Sequence, residues 1–289
     1  MPNPPALSII TCTMRTEPRL EDLLDSLEAQ TFKDFEHIIV DGKLDRIPGR
    51  MERWRAQQER RPFPIKVVGD KPCSFKLGLA NARNSGVIWA DGRIVLYIDD
   101  HITFEPGLLA GHMAHHIGPP KAIAGIAHYH FPDKVIIDNR VKLVGGDVGL
   151  VKCRIEWLYG MNASVPMEKI LQVNGSDERY CGEFGGEDCD LSIRLARAEC
   201  RPWLDTKLVV HERRDVDTHE DLFVTEGVGH EDWWNERTKR FHWRNERFIE
   251  ELVYSEIHRS LSKNPWNLRE ARGRRIAGAT TWDDILRGA

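Results

Sequence analysis

Four short apolar runs, at residues 7–12, 35–40, 65–68 and 94–98, alternate with helical patterns through the first hundred residues of this chain. The runs are rich in β-branched residues, as strands are. Between the first two, Pro18 opens a helix with Leu20, Leu23, Leu24 and Leu27 at helical spacing. Residues 52–61 form a polar helical pattern. Residues 75–85 form another, with the small Gly78, Ala80 and Ala82 on its packed side. Such alternation predicts an α/β fold with a mostly parallel, doubly wound sheet flanked by helices. Right-handed crossovers then bring the strand ends at Thr11, Asp41 and Asp99 to one edge. Ligands of open α/β sheets bind at that edge.

The fourth run stops abruptly, from Val95-Leu96-Tyr97-Ile98 into Asp99, Asp100 and His101. Two carboxylates and an imidazole in three positions can hold a hard divalent cation, which could in turn hold a diphosphate. Manganese suits a mixed oxygen–imidazole site, whereas magnesium prefers oxygen alone. Asp also favours the turn that follows a strand. The metal reading is preferred because His101 and a later acidic motif agree with it, and either Asp100 or His101 could be the second ligand. That later motif is GGEDCDLSIRL at 185–195, which enters a helix at 187–198 with Leu191, Leu195 and Ala198 inward. A strand at 207–210 delivers the pair His211-Glu212. The three pieces together suggest a metal-dependent enzyme acting on a nucleotide-activated substrate.

The rest of the chain is less regular. Residues 106–117 read as a helix, and 122–130 and 135–144 as strands of a hairpin-like excursion. His112 and His116 have the i, i+4 spacing of some zinc sites, but without an evident third ligand a packed or solvated helix face is the better reading. His128 and His130 alternate on a strand, toward solvent or substrate. The tail is rich in Trp, Arg and Glu. Trp233, Trp234 and Trp243 are either an acceptor platform or pins to the core. The basic stretches 237–247 and 269–275 could meet the phosphates of a nucleic acid or polymer; nearby glutamates make salt-bridged helix faces the preferred reading.

With 289 residues and 41% hydrophobic content, a sizeable core is affordable in size. The net charge of −4 gives no general attraction to nucleic acid or anionic lipid. No apolar run approaches the roughly 20 residues of a membrane span. The start lacks a basic segment ahead of its apolar stretch, so it does not read as a signal peptide. The six cysteines show no CxxC spacing and read as reduced thiols of a cytoplasmic protein.

The segments LSIITCTMR, IIVDG, ARNSG, YIDDH and NGSDERYCGEFGGEDCDLSIRL, in this order, resemble GT-A fold glycosyltransferases, most nearly glycosyltransferase family 2, over roughly residues 6–215. The last segment also resembles the galactosyltransferase-type C-terminal segment of animal β-1,4-galactosyltransferases. The resemblance implies a Rossmann-like GT-A catalytic domain at 1–215, with a nucleotide-sugar-binding half to about 105 and an acceptor-binding half from about 106. Residues 216–289 would be a helical and loop extension packed on it. It implies a nucleotide-sugar donor, a UDP-sugar first, and a saccharide or other hydroxyl acceptor. Asp41 would bond the nucleobase and Thr11 the base or ribose, while Arg15, Arg83 and Asp100 would contact the donor. Asp99 would take the first position of the DxD motif and His101 the third, as in the Asp-x-His of polypeptide N-acetylgalactosaminyltransferases. Asp99, His101 and His211 would bind Mn2+ or Mg2+. Asp188 would be the catalytic base of an inverting enzyme. Gly186, Glu187, Phe184 and Trp234 would meet the sugar or acceptor, Phe184 standing roughly where the galactosyltransferases carry a Trp. The alternatives are a transferase acting on hydroxymethylated DNA bases, a nucleotidyltransferase, and a nucleotide- or carbohydrate-binding protein without turnover.

Overall fold

The computed structural model of the chain describes residues 3–15, 20–73, 78–181, 186–213 and 261–287. Pro18, Phe184, Gly185, Trp233, Trp234, Trp243 and the basic stretch 237–247 lie outside the described residues.

The first hundred residues alternate as their pattern predicts. β1 (Leu7–Thr13), β2 (Phe35–Asp41), β3 (Ile65–Val68) and β4 (Ile94–Ile98) are separated by α1 (Glu21–Glu28), α2 (Arg50–Arg60) and α3 (Leu79–Trp89). These four strands pair in parallel in the order β3-β2-β1-β4. Beyond them the chain adds β5 (Ile102–Phe104), α4 (Leu108–Ala114), β6 (Ala122–His130), β7 (Val135–Ile137), α5 (Asn139–Leu143) and β8 (Leu150–Lys152). Then come β9 (Asn162–Pro166), α6 (Met167–Gln172), α7 (Glu187–Arg197), β10 (Pro202–Arg213), α8 (Leu268–Ile276) and α9 (Trp282–Leu286). The sheet continues past β4 as β9-β6-β10-β5, with β7 on β6 and β8 on β10. Only β6 and β10 are parallel in this part; β9 runs antiparallel to both β4 and β6. The result is one mixed sheet with helices on both faces.

Alternation along the strands divides the core in two. Leu7, Ile9, Ile39 and Leu96 face Leu23, Leu24 and Leu27 of α1, Trp54 of α2, and Leu108 and Leu109 of α4. Ile10, Ile38, Val40, Val95 and Tyr97 face the other way, toward Val87 and Ile88 of α3, Leu191 and Leu195 of α7, and Leu268 and Ala271 of α8. The helix read at 75–85, α3, runs from Leu79 to Trp89, with Gly78 ahead of it and Ala82 only partly buried; Gly86 is the small residue that faces the sheet and lets the helix lie close. A β-carbon there would stand 2.5 Å from Ile10 Cγ2 and 3.2 Å from Val40 Cγ2. No helix among the described residues is long and apolar enough to cross a membrane.

Residues 135–144 correct the sequence reading, because they are not one strand. β7 ends at Ile137, and Asp138 caps α5 by accepting a hydrogen bond from the Arg140 N–H at 2.9 Å. An aspartate that satisfies an orphaned helix N–H outweighs the β propensity of the valines and isoleucines around it. The basic stretch 269–275 is largely taken up in the fold. Arg269 pairs with Glu168, and Arg272 and Arg275 donate to the Ala90 carbonyl just past α3. His112 is buried against β9, with Nδ1 2.9 Å from Ser164 Oγ and Nε2 2.9 Å from Asn162 Oδ1. His116, in the turn after α4 rather than on the helix, meets the same Ser164 hydroxyl with Nε2 at 2.7 Å, so both histidines pack on β9.

Gly86→Ala should cost about 1–3 kcal/mol, the usual range for overpacking a close contact, and urea denaturation would read it. Acid should also destabilise the fold. Burial pushes His37 and His116 down to about 3 and His112 down to about 4, whereas unfolded histidines titrate near 6.5. Between these values the unfolded chain binds protons that the folded chain refuses, so stability falls as pH drops from about 6.5 toward 4. Melting temperatures at pH 7, 6 and 5 should decline in that order; a flat series would contradict the assignment.

Candidate active site

Because β1, β2, β3 and β4 run parallel, their carboxyl ends share one edge. Four acidic side chains stand there in two different conditions. Asp41 and Asp100 are sealed inside hydrogen-bond networks. Asp99 and Asp70 are not.

Asp41 is fully buried. Its carboxylate accepts from Arg50 Nε at 2.6 Å, Arg50 Nη2 at 3.3 Å, Trp54 Nε1 at 2.8 Å and the Lys43 N–H at 2.9 Å. It therefore ties α2 to the end of β2. Thr11 is also fully buried, turned to the α1 side of the sheet with Oγ1 3.0 Å from His37 Nε2. Two residues on, Thr13 reaches the strand end and donates to Asp100 Oδ2 at 2.7 Å. Arg15 Nε donates to the same oxygen at 3.0 Å. Burial raises Asp100, but the hydrogen bond from His101 and the charge of Arg15 outweigh it and hold the carboxyl at about 2.

The adjacent Asp99 makes no hydrogen bond or ion pair among the described residues. Burial pushes its pKa up, with Asp100 and Glu212 acting in the same direction and His101 and Arg83 against it. His101 lies between two acids, with Nδ1 3.0 Å from Asp100 Oδ1 and Nε2 3.1 Å from Glu212 Oε1. Burial alone would lower it; these two carboxylates instead raise it to about 10. Glu212 is missing from the sequence-based candidates. Its signal is the two-residue period of β10, which sends His211 and Glu212 to opposite faces of the sheet. His211 lies against β6, with Nδ1 2.9 Å from His130 Nε2 and its ring centroid 5.7 Å from that of His128. Asp99 and His101 are thus brought to one corner, whereas His211 is held among histidines. As the side chains stand, no group of three or more His, Cys, Asp and Glu among the described residues is arranged to hold a metal.

A second acidic pair stands at the start of α7. Gly186 precedes the helix at φ 96°, a left-handed conformation that glycine adopts without strain. The turn aims Glu187 and Asp188 at Arg83 of α3. The buried Arg83 Nη1 donates to Glu187 Oε1 at 3.1 Å and to Asp188 Oδ1, and its guanidinium lies 5.7 Å from the Tyr97 ring centre. Asp188 Oδ2 accepts from the Gly160 N–H at 2.9 Å. Gly160 must lack a side chain, because a β-carbon would lie 2.5 Å from Arg83 Cζ. Burial and the neighbouring Asp188 push Glu187 up, against the pull of Arg83. The Asp188 side chain stays 22% exposed, enough to meet a ligand. The charges of Asp99, Glu187 and Asp188 all act on Arg83, so the acids at the end of β4 and at the start of α7 share one buried cation.

Residues 8–167 match the profile of glycosyl transferase family 2. The chain is 25% identical over 224 residues to the validoxylamine A glucosyltransferase of Streptomyces hygroscopicus subsp. limoneus, covering 66% of this chain and 48% of that protein. It thus spans about half the length of this relative. Among solved structures, the mannosyltransferase PcManGT from Pyrobaculum calidifontis in complex with GDP-Man and Mn2+ superposes with a TM-score of 0.55 at 18% identity, over 73% of this chain and 57% of that one. S. aureus TarS 1–349 in complex with UDP-GlcNAc superposes with a TM-score of 0.55 at 16% identity, over 73% and 59%. At these identities the structural likeness is one of fold, the GT-A fold. With more than half of its length matched to the family profile, the chain belongs to glycosyl transferase family 2.

Proposed function

We propose that the protein is a metal-dependent, inverting glycosyltransferase that moves a sugar from a nucleoside-diphosphate donor, a UDP-sugar first, to a hydroxyl acceptor. The observation that carries this reading is the pair of partly exposed carboxylates, Asp99 and Asp188, whose charges both act on Arg83. Asp99 has no partner among the described residues, and Asp188 is fixed yet still exposed. Glycosyl transfer calls for one acid on the donor side and one at the acceptor.

The donor-side residues fit a divalent ion by their chemistry. Asp99 is a desolvated carboxylate with like charges, Asp100 and Glu212, beside it. A cation would relieve that excess and Asp99 would hold it; the imidazole of His101, which both Asp100 and Glu212 hold in its protonated form, would join as a ligand only on giving up a proton and one of those partners. Bound there, the ion would supply Lewis-acid neutralisation of the leaving diphosphate. The protein's own part is to hold and receive. The base and ribose would lie across the ends of β1 to β3. The acceptor oxygen attacks the anomeric carbon as the bond from that carbon to the diphosphate breaks. The leaving group takes the bonding electrons, and the hydroxyl proton passes to Asp188. Arg83 and the Gly160 N–H each engage one oxygen of Asp188 and leave it lone pairs for that proton. A single displacement of this kind inverts the anomeric configuration.

Asp188→Asn keeps the size of the side chain and removes its proton-accepting capacity. kcat should fall by about 10²–10⁴-fold, the range for a positioned acid–base group, while donor binding in thermal-shift assays survives. Near-normal turnover in this variant would sink the inverting assignment. Chelation with EDTA, or Asp99→Ala, should abolish the thermal shift produced by nucleotide sugar plus manganese, through mass-action stabilisation of the folded state. Donor affinity unaffected by both treatments would remove the metal from the mechanism. Arg83→Met leaves two acids facing each other in a buried setting. It should cost about 3–5 kcal/mol in urea denaturation, as removal of one partner of a buried ion pair does.

A further inference from the structure

We infer, independently of the nucleotide-sugar reading, that Cys73 and Cys181 are a thiol pair that a peroxide closes to a disulfide, tying the loop after β3 to the stretch that leads into α7.

The two thiols come from distant parts of the chain and meet at one place. Gly78, just ahead of α3, marks it. A β-carbon at Gly78 would stand 3.8 Å from the sulfur of Cys73 and 3.8 Å from that of Cys181. The two side chains also share a hydrogen bond. Both cysteines are free thiols in the structure. The other four belong to other elements: Cys12 to β1, Cys153 to the residue after β8, Cys189 to α7 and Cys200 to the turn ahead of β10.

The backbone on each side is already held. Lys71, two residues before Cys73, is clamped to α3. Its N–H donates to Ser85 Oγ at 2.9 Å, and its carbonyl accepts from Asn81 Nδ2 at 2.8 Å. Its ammonium pairs with Glu178 Oε2 at 2.5 Å. The Glu178 carbonyl in turn accepts from the Cys181 N–H at 3.0 Å, and Glu178 Oε1 accepts from Asn84 Nδ2 at 3.0 Å. The buried Lys71–Glu178 pair thus holds the two stretches side by side, each cysteine within three residues of one partner. Disulfides demand such prior approach, because cysteines with distant backbones cannot be joined without moving the chain.

The two thiols differ in surroundings. Cys181 is buried, whereas Cys73 is half-buried. Burial pushes the Cys181 thiol up to about 12, with Cys73 and Glu178 acting in the same direction and the Asn81 N–H against them. A buried, protonated thiol is a poor first nucleophile, so Cys73 is the one that meets the oxidant. Its thiolate attacks one peroxide oxygen, the O–O bond breaks, and the departing hydroxide takes up a proton and leaves as water. Cys73 is then a sulfenic acid. The Cys181 sulfur attacks the Cys73 sulfur, the S–O bond breaks, and the hydroxide leaves as a second water with the Cys181 proton. Two thiols have given two electrons to one peroxide. The Asn81 N–H, in the first turn of α3, favours negative charge on the Cys181 sulfur as it attacks.

The full chain, first reduced, is treated with hydrogen peroxide under native conditions. Its remaining thiols are then alkylated in denaturant and counted by intact mass. Two of the six cysteines should escape alkylation, and peptide mapping should find Cys73 joined to Cys181. Closing a loop of roughly a hundred residues should raise the melting temperature by about 5–10 °C, and dithiothreitol should reverse the rise. Cys73→Ser should lose both the cross-link and the rise while keeping the melting temperature of the reduced protein. Cys153→Ser should keep both. Peroxide that leaves all six thiols free, joins a different pair, or carries Cys73 to sulfinic acid without a cross-link overturns the inference. So does a melting-temperature rise that survives in Cys73→Ser.

Discussion

The buried guanidinium of Arg83 is the interaction on which the site depends. It comes from α3, which the small Gly86 lets settle against the sheet, and it reaches the first turn of α7 more than a hundred residues later in the chain. An arginine without partners in such a place would carry a desolvation penalty of several kcal/mol. Glu187, Asp188 and the face of Tyr97 offset that penalty. The same contacts fix the rotation of α7 about its axis and hold the Asp188 carboxylate between Arg83 and the Gly160 N–H. Gly160 follows from the same packing, because only a residue without a side chain lets the guanidinium pass.

The acids of the sheet edge separate by what surrounds them. Asp100 collects Thr13, Arg15 and His101, and Asp41 collects Arg50, Trp54 and the Lys43 N–H. Each organises the loop that follows its strand. For Asp100 the hydrogen bond from His101 and the charge of Arg15 outweigh burial and hold the carboxyl low. Asp99, Asp70 and Asp188 have fewer internal donors among the described residues and are partly exposed. Adjacent aspartates with identical chemistry, Asp99 and Asp100, therefore serve different ends. The difference is the direction each side chain takes as the strand closes.

The C-terminal segment supports this arrangement from behind. Trp266, Leu268, Ala271 and Ile285 join the core layer beneath α3, and Arg272 and Arg275 donate to the backbone carbonyls at its end. Positive groups there satisfy carbonyls that the helix cannot and complement its dipole. Lys71, held by Glu178 and lying 4.8 Å from the Trp266 ring centre, links the loop after β3 to the same segment. The stiffness of the strand-end loops thus has a source outside the sheet.

What the sequence determined by itself was local and periodic. The apolar runs placed β1 to β4 as parallel strands and the acids at their ends, since these follow from side-chain spacing within a few residues, whereas α3 starts at Leu79 and packs through Gly86 rather than through Gly78 and Ala82. The pattern also brought Glu187 and Asp188 to a helix start. Only tertiary structure decided which acids are open. Whether Asp41 is sealed depends on Arg50 and Trp54 of the following helix, and whether His101 meets Glu212 or His211 depends on the facing of β10 beside β5. The antiparallel insertion of β9 between β4 and β6, and the end of β7 at Asp138, were likewise hidden. They turn on partners distant in sequence or on one capping hydrogen bond. Periodicity reports which face of an element is apolar; it carries no record of what that face will meet.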